Sequence, residues 1–226
     1  MRLSVIIPVY NERWTIQEVL RRVGGTTYDK EIIVVDDGST DGTGQILGEL
    51  ADGKTDLRVI FHPENRGKGA AIRTALAHVT GDIVLIQDAD LEYDPADYPR
   101  LLDPILAGKT RVVYGSRFLG KREKMGIWHV LGNRFLTAWT NLLYQTSLTD
   151  METGYKAFAT EVLRGVQLKG DRFDFEPEIT AALLRQGHKI LEVPISYKGR
   201  GRKEGKKIGW RDGITATLVL FRQRLG

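Results

Sequence analysis

The 226-residue chain has no cysteine, which removes disulfides and thiolate metal sites from consideration. Histidine is nearly as scarce. There are four, at positions 62, 78, 129 and 188, and none stands in HxH or HExxH spacing. A metal site would therefore draw mainly on oxygen, which favours Mg²⁺ or Mn²⁺ over Zn²⁺. Long apolar runs are missing too. The longest, around Trp139–Tyr144 and Ala216–Phe221, fall far short of the ~20 residues a membrane span needs. The opening MRLSVIIPVYNE holds an apolar run too short for a signal peptide and broken by Pro8. These absences predict a cytoplasmic chain with no spanning helix. Internal repeats, low-complexity tracts and clean linkers are also lacking, so one domain is expected over 1–226.

Charge is present but unevenly spread. Residues 1–97 carry 10 Lys/Arg against 17 Asp/Glu, whereas residues 98–226 carry 23 against 12, within a net of +4. An acidic half suits a cation and a basic half suits a phosphorylated partner. The basic residues are not interleaved with aromatics in a nucleic-acid motif, so no nucleic-acid partner is expected.

Periodicity predicts alternating elements through the first half. Leu3–Pro8, Glu31–Val35, Leu57–His62, Asp82–Gln87 and Arg111–Tyr114 read as strands. Helices are expected over Thr15–Val23, Thr43–Leu50, Lys68–His78 and Leu101–Leu106. This alternation implies βαβ units, a mainly parallel sheet and helices on both faces. Ligands of such sheets sit at the carboxyl ends of the strands, where VYNE, DDGS, DAD and GSR all fall. Further on, Ile127–Gln145 and Phe175–Gln186 read as helices. Ile190–Tyr197 reads as a strand whose Pro194 suggests an edge position. A basic Gly-rich loop and a short C-terminal helix close the chain.

The stretch LIQDADLEYDP sets Asp88, Asp90, Glu92 and Asp94 at alternate positions. A lone DxD is commonly a solvated loop. Here it follows a strand, whose geometry points Asp88 and Asp90 the same way. Their oxygens suit a divalent cation that also takes diphosphate oxygens. Asp94 reads as a turn residue before Pro95.

SVIIPVYNE, EIIVVDDGSTDGT, NRGKGAAIRTAL, GDIVLIQDADLEYDP and GSRF, in this order and spacing, resemble the family 2 glycosyltransferases of GT-A fold. TDMETGYKAF, FDFEPEI and EVPISYKGR…EGKKIGW are similar to the dolichol-phosphate mannosyltransferase and polyprenyl-phosphate glycosyltransferase branch. The resemblance covers nearly the whole chain. It implies a Rossmann-like α/β domain with a nucleotide-sugar half, 1–117, and an acceptor half, 118–226, which includes a basic loop, 198–212, and a C-terminal amphipathic helix. It implies that Pro8, Tyr10, Glu12, Val35, Asp37, Lys68, Asp88 and Ala89 bind the nucleotide, with Asp37 facing the base. Asp88, Asp90 and Glu92 would hold Mg²⁺ or Mn²⁺, although relatives place Gln where Glu92 stands. Arg117, Arg134, Arg200 and Lys206 would hold donor and acceptor phosphates, and Asp88, Asp90 and Arg117 would be catalytic.

The implied reaction is inverting transfer of a mannose- or glucose-type hexose from a GDP- or UDP-sugar to dolichyl or undecaprenyl phosphate. A lipid phosphate is already an oxyanion near neutral pH, so it needs positive charge and no base. Transfer to a sugar or protein hydroxyl would need a base, for which Asp150, Glu152 and Glu176 are available. A nucleotidyltransferase would carry a Gly-rich loop where PVYNE stands, and a non-catalytic sensor would not need the Asp88/Asp90 pair. Trp128, Leu131, Phe135, Trp139, Leu142 and Leu143 share helical spacing, which suits either a core helix or an interfacial helix that meets a prenyl chain. Peripheral contact with the cytoplasmic face of the membrane is the matching expectation.

Overall fold

The apolar runs expected as strands lie side by side in one seven-stranded sheet. The computed structural model describes residues 1–171, 174–200 and 210–225. In chain order the elements are β1 (Leu3–Val9), α1 (Ile16–Gly24), β2 (Lys30–Asp36), α2 (Thr43–Ala51), β3 (Leu57–Phe61), α3 (Lys68–Leu76) and β4 (Ile83–Ile86). A 3₁₀ turn (Pro95–Asp97) leads into α4 (Tyr98–Leu106). Then come β5 (Val112–Ser116), β6 (Arg122–Glu123), α5 (Ile127–Tyr144), β7 (Lys156–Ala159), α6 (Thr160–Leu163), α7 (Phe175–Arg185), β8 (Leu191–Pro194), β9 (Tyr197–Lys198) and α8 (Trp210–Leu225).

The sheet order is β3-β2-β1-β4-β7-β5-β8, with β6 and β9 paired separately. All pairings within the large sheet are parallel except those of β7, which is antiparallel to both β4 and β5. Alternation along the strands feeds two cores. Val5, Ile7, Val34, Leu85 and Val113 face α1, α2 and α4. Ile6, Ile33, Val35, Val84 and Tyr114 face α3, α6 and α7. On α1 the expected stripe of Ile16, Val19, Leu20 and Val23 is buried throughout, each such side chain contributing about 1.5–3 kcal/mol. A third cluster joins α5, α7 and α8 through Leu136, Met151, Ala181 and Leu220.

Several elements depart from the sequence reading, β6 and α6 among them. The strand β7 was not expected, because KAFA is four residues long and opens on a lysine. Ile190–Tyr197 splits into β8, which is the sheet's edge as Pro194 suggested, and the separate β9. The C-terminal helix has sixteen residues and is not short. Among the described residues, no helix is long and apolar enough to cross a membrane.

Candidate active site

Because β7 runs opposite to its neighbours, its N-terminal end arrives at the carboxyl edge of the parallel strands. The segment 150–155 thus meets VYNE after β1, DDGS at the end of β2, DAD after β4 and Ser116–Arg117 at the end of β5.

On the nucleotide side, Pro8 stands opposite Val35 in the β1/β2 register. Pro8, Tyr10 and Glu12 are partly exposed at the edge. Val35 is fully buried in the core beneath α3, so its side chain does not reach the edge surface. Ala89 is buried too. Asp37 is buried and engaged: it accepts from the Gly67 N–H at 2.7 Å and the Arg66 N–H at 3.0 Å, and its Oδ1 meets His62 Nδ1 at 2.7 Å. His62 Nε2 continues to Thr74 Oγ1 at 2.9 Å. In this arrangement Asp37 anchors the turn that launches α3. Gly38 makes the adjoining turn with φ of +71°, where an added Cβ would lie 2.5 Å from the Glu64 backbone, so only glycine fits.

The acidic stretch is neutralised by two cations of the chain itself. Lys68, the first residue of α3, places Nζ 2.8 Å from Asp88 Oδ1 and 2.7 Å from Glu176 Oε1. Burial disfavours its ammonium, but the two carboxylates outweigh that and raise its pKa. Arg200 forks onto Glu12 at 2.8 and 2.9 Å and reaches Asp90 Oδ2 at 3.1 Å. Burial, with Asp88 and Glu92 close by, still pushes the Asp90 carboxyl up to about 7. Glu92 was expected as a third metal ligand. Here its Oε2 accepts from Tyr197 Oη at 2.6 Å and its Oε1 from the Arg200 N–H at 2.7 Å. Lys198 N–H also donates to the Glu92 carbonyl, and Tyr93 bridges to Tyr197. The segment 197–200 is therefore latched along the acidic loop. Among the described residues, no three carboxylate or imidazole groups form a ready metal cage. Asp94 caps the 3₁₀ turn by accepting from the Ala96 N–H, as its place before Pro95 suggested.

The 150–155 segment builds the other wall. Asp150, fully buried, accepts from the Arg117 N–H at 2.9 Å, from Arg117 Nε and Nη2 at 2.7 Å each, and from Asn133 Nδ2 at 2.8 Å. Burial opposes its ionisation, but Arg117 prevails and holds its pKa below the usual range. Gly154 lies against Asp88, whose Oδ2 would be 2.1 Å from an added Cβ. Its N–H donates to Tyr93 Oη. Burial, then the nearby Glu176, push the Glu152 carboxyl up to about 8.

Arg134 is exposed on α5, with its guanidinium 5.7 Å from the Phe118 ring. Asn133, Leu136, Thr137 and Thr140 face inward from α5. Trp128, Leu131, Phe135 and Leu142 are 76%, 51%, 59% and 71% exposed, so the core reading of this stripe does not hold for those four. Lys206 lies outside the described residues, as does most of the 198–212 loop. Sequence reasoning did not single out Tyr197, Asn133 or Lys156, and it considered Asp150 only as a base. TDMETGYK, quoted for its resemblance, was the available signal for Asp150 and Lys156.

Residues 4–168 match the family model described as glycosyl transferase family 2. The chain belongs to glycosyl transferase family 2. Relatives include a dolichol-phosphate mannosyltransferase of Pyrococcus furiosus, 32% identical over 92% of this chain and 60% of that one. An undecaprenyl-phosphate mannosyltransferase of Micrococcus luteus is 31% identical, over 100% of this chain and 94% of the relative. This family 2 chain thus spans about three fifths of the Pyrococcus protein's length and nearly all of the Micrococcus protein's. Among solved structures, glucosyl-3-phosphoglycerate synthase from Mycobacterium tuberculosis, in complex with Mn²⁺ and UDP-glucose, is 24% identical, with a TM-score of 0.73 over 98% of this chain and 78% of that one. That likeness supports the GT-A fold alone.

Proposed function

We propose that this family 2 enzyme transfers a hexose, with inversion, from a GDP- or UDP-sugar to a polyprenyl phosphate. One observation carries the choice of acceptor. Asp150, the carboxylate best placed to serve as a base, is spent on Arg117 and Asn133 through four hydrogen bonds. Burial and the nearby Glu176 raise the Glu152 carboxyl to about 8, which disfavours the ionised form a base would need. Glu176 is paired with Lys68. Among the described residues, these three carboxylates are thus paired or disfavoured as ions while Arg117 carries fixed positive charge, which suits a phosphate oxyanion better than a hydroxyl.

The donor set at Asp88 and Asp90 fits a hard divalent cation. Both are oxygen ligands, and burial first, then Asp88 and Glu92, raise the Asp90 carboxyl more than Arg200 lowers it, so a cation bound there would favour its ionised form. Bound there, Mg²⁺ or Mn²⁺ would supply Lewis-acid stabilisation of the departing diphosphate. The chain's own groups do the rest. Lys68 fixes Asp88 at the donor. Arg117, locked by Asp150, presents charge to the incoming phosphate, whose oxygen bonds to the anomeric carbon as the bond to diphosphate breaks. Arg134 supplies further charge on this side; Lys206, expected to do the same, lies outside the described residues. Arg200 exchanges its carboxylates for donor phosphate. The exposed apolar stripe on α5 beside Arg134 supports peripheral contact with the membrane that holds the acceptor, on its cytoplasmic face.

The test is a donor panel of GDP-mannose and UDP-glucose with Mg²⁺ or Mn²⁺ and a short polyprenyl phosphate, scored by radiolabel entering the organic phase. Asp90→Asn or excess chelator should abolish transfer while the melting curve stays cooperative. Full activity under chelation would overturn the metal assignment. Efficient transfer to a free sugar would overturn the acceptor.

A further inference from the structure

Lys156 opens β7 in the middle of the sheet, paired with Ile86 on one side and Tyr114 on the other. It has no solvent exposure. Lysine is almost never fully buried unless partnered, and an apolar residue would suit a central strand. Its Nζ donates to the Met151 carbonyl at 2.9 Å and to the Thr153 carbonyl, and it stands 4.2 Å from the centre of the Tyr114 ring. Those carbonyls flank Glu152, within the segment whose Asp150 grips Arg117 and whose Gly154 lies against Asp88. One ammonium therefore ties down, from beneath, a loop that touches both ends of the reaction.

We infer that Lys156 is a positioning residue, which sets the spacing between the donor-side Asp88 and the acceptor-side Arg117 by fixing the Met151 and Thr153 carbonyls. The inference rests on the transfer reaction proposed above. Displacing either end by about 1 Å would cost on the order of 100-fold in rate. The titratable groups around Lys156 are Glu152 and Asp150 on the loop, Tyr114 from β5, Glu176 from α7 and Lys68 from α3. Burial, against those carboxylates, pulls its pKa down to about 8. Turnover should therefore fall as pH rises through that region and the Lys156 ammonium loses its proton.

Lys156→Met and Lys156→Arg test this with two readouts. In the first, Lys156→Met lowers kcat on the order of 100-fold and loses the alkaline decline. Binding of the nucleoside alone, titrated without diphosphate or sugar, changes less than about threefold, because the groups expected at the base, around Asp37, sit toward β1 and β2 and not on the 150–155 loop. Lys156→Arg recovers part of kcat. In the second readout, the Arg117 Nε–H resonance, expected to be sharp and slow to exchange in the wild type because it donates to buried Asp150, broadens in Lys156→Met. A Lys156→Met enzyme that keeps kcat within twofold overturns the inference. So does one that loses folding and nucleoside binding together. A wild type that does not use polyprenyl phosphate at all sinks the transfer reading only, and the Arg117 resonance still decides on Lys156.

Discussion

Arg117 and Asp150 behave as one unit, because three of the four bonds on Asp150 come from Arg117. Arg117→Ala removes a charge-assisted contact worth roughly 1.5–3 kcal/mol, about 10- to 150-fold in rate. Asp150→Asn should cost a similar factor by loosening the arginine. The double variant should then be no slower than the worse single one. A base at position 150 would give a different pattern: a dead single variant and an activity that falls at low pH. Glu152 supports a stability test. Its folded pKa of about 8 lies above its ordinary 4.5, so its favourable contribution is complete below about pH 4.5 and is lost as pH rises through 8. Lys156 is protonated both folded and unfolded between pH 5 and 7, so it adds no slope in that window. Between those values the melting temperature of the wild type should fall relative to Glu152→Gln. A constant difference between the two would mean that Glu152 is ionised in the fold.

The elements show what a sequence can and cannot disclose. Strands β1 to β5 were legible because buried parallel strands are continuous apolar runs, and α1 because its stripe recurs at helical spacing. Strand β7 was hidden, since four residues beginning with lysine carry no period, and its position is fixed only by partners far along the chain. Asp88 and Lys68 were both marked as site residues, but their meeting through one ammonium depends on α3 starting and β4 ending at one edge. The inward face of Asp150 was hidden for the same reason. For α5, spacing revealed a stripe without revealing whether anything covers it. Its outer face predicts that replacing Trp128, Leu131 and Phe135 with glutamine lowers binding to polyprenyl-phosphate vesicles at least tenfold and leaves nucleotide binding intact. The melting temperature should stay constant or rise, because those side chains are already exposed. A sharp fall in melting temperature would return the stripe to the core.

As a whole the molecule is electrically lopsided, with its excess of Lys/Arg confined to residues 98–226. Each basic side chain near an anionic surface contributes about 1 kcal/mol, screened within a Debye length of about 10 Å at 0.1 M salt and about 3 Å at 1 M. Sedimentation with anionic vesicles should therefore be strong at low salt and weak near 1 M. The remainder at high salt reports the α5 stripe alone. Binding that ignores salt would mean the charge plays no part in docking.

The placement of β7 also governs the order in which the protein can be made. A ribosome releases β4 and β5 well before β7, yet those two strands do not pair with each other in the finished sheet. From residue 87 until residue 159 emerges, the apolar Ile83–Ile86 edge has its backbone donors and acceptors open on one side, the kind of edge that recruits other chains. The nascent protein must keep that slot vacant and then admit a strand running the opposite way, a late, long-range closure of the slow kind. An unfinished chain ending near residue 117 would carry the open edge permanently, and β4 is where a chaperone would have to shield it.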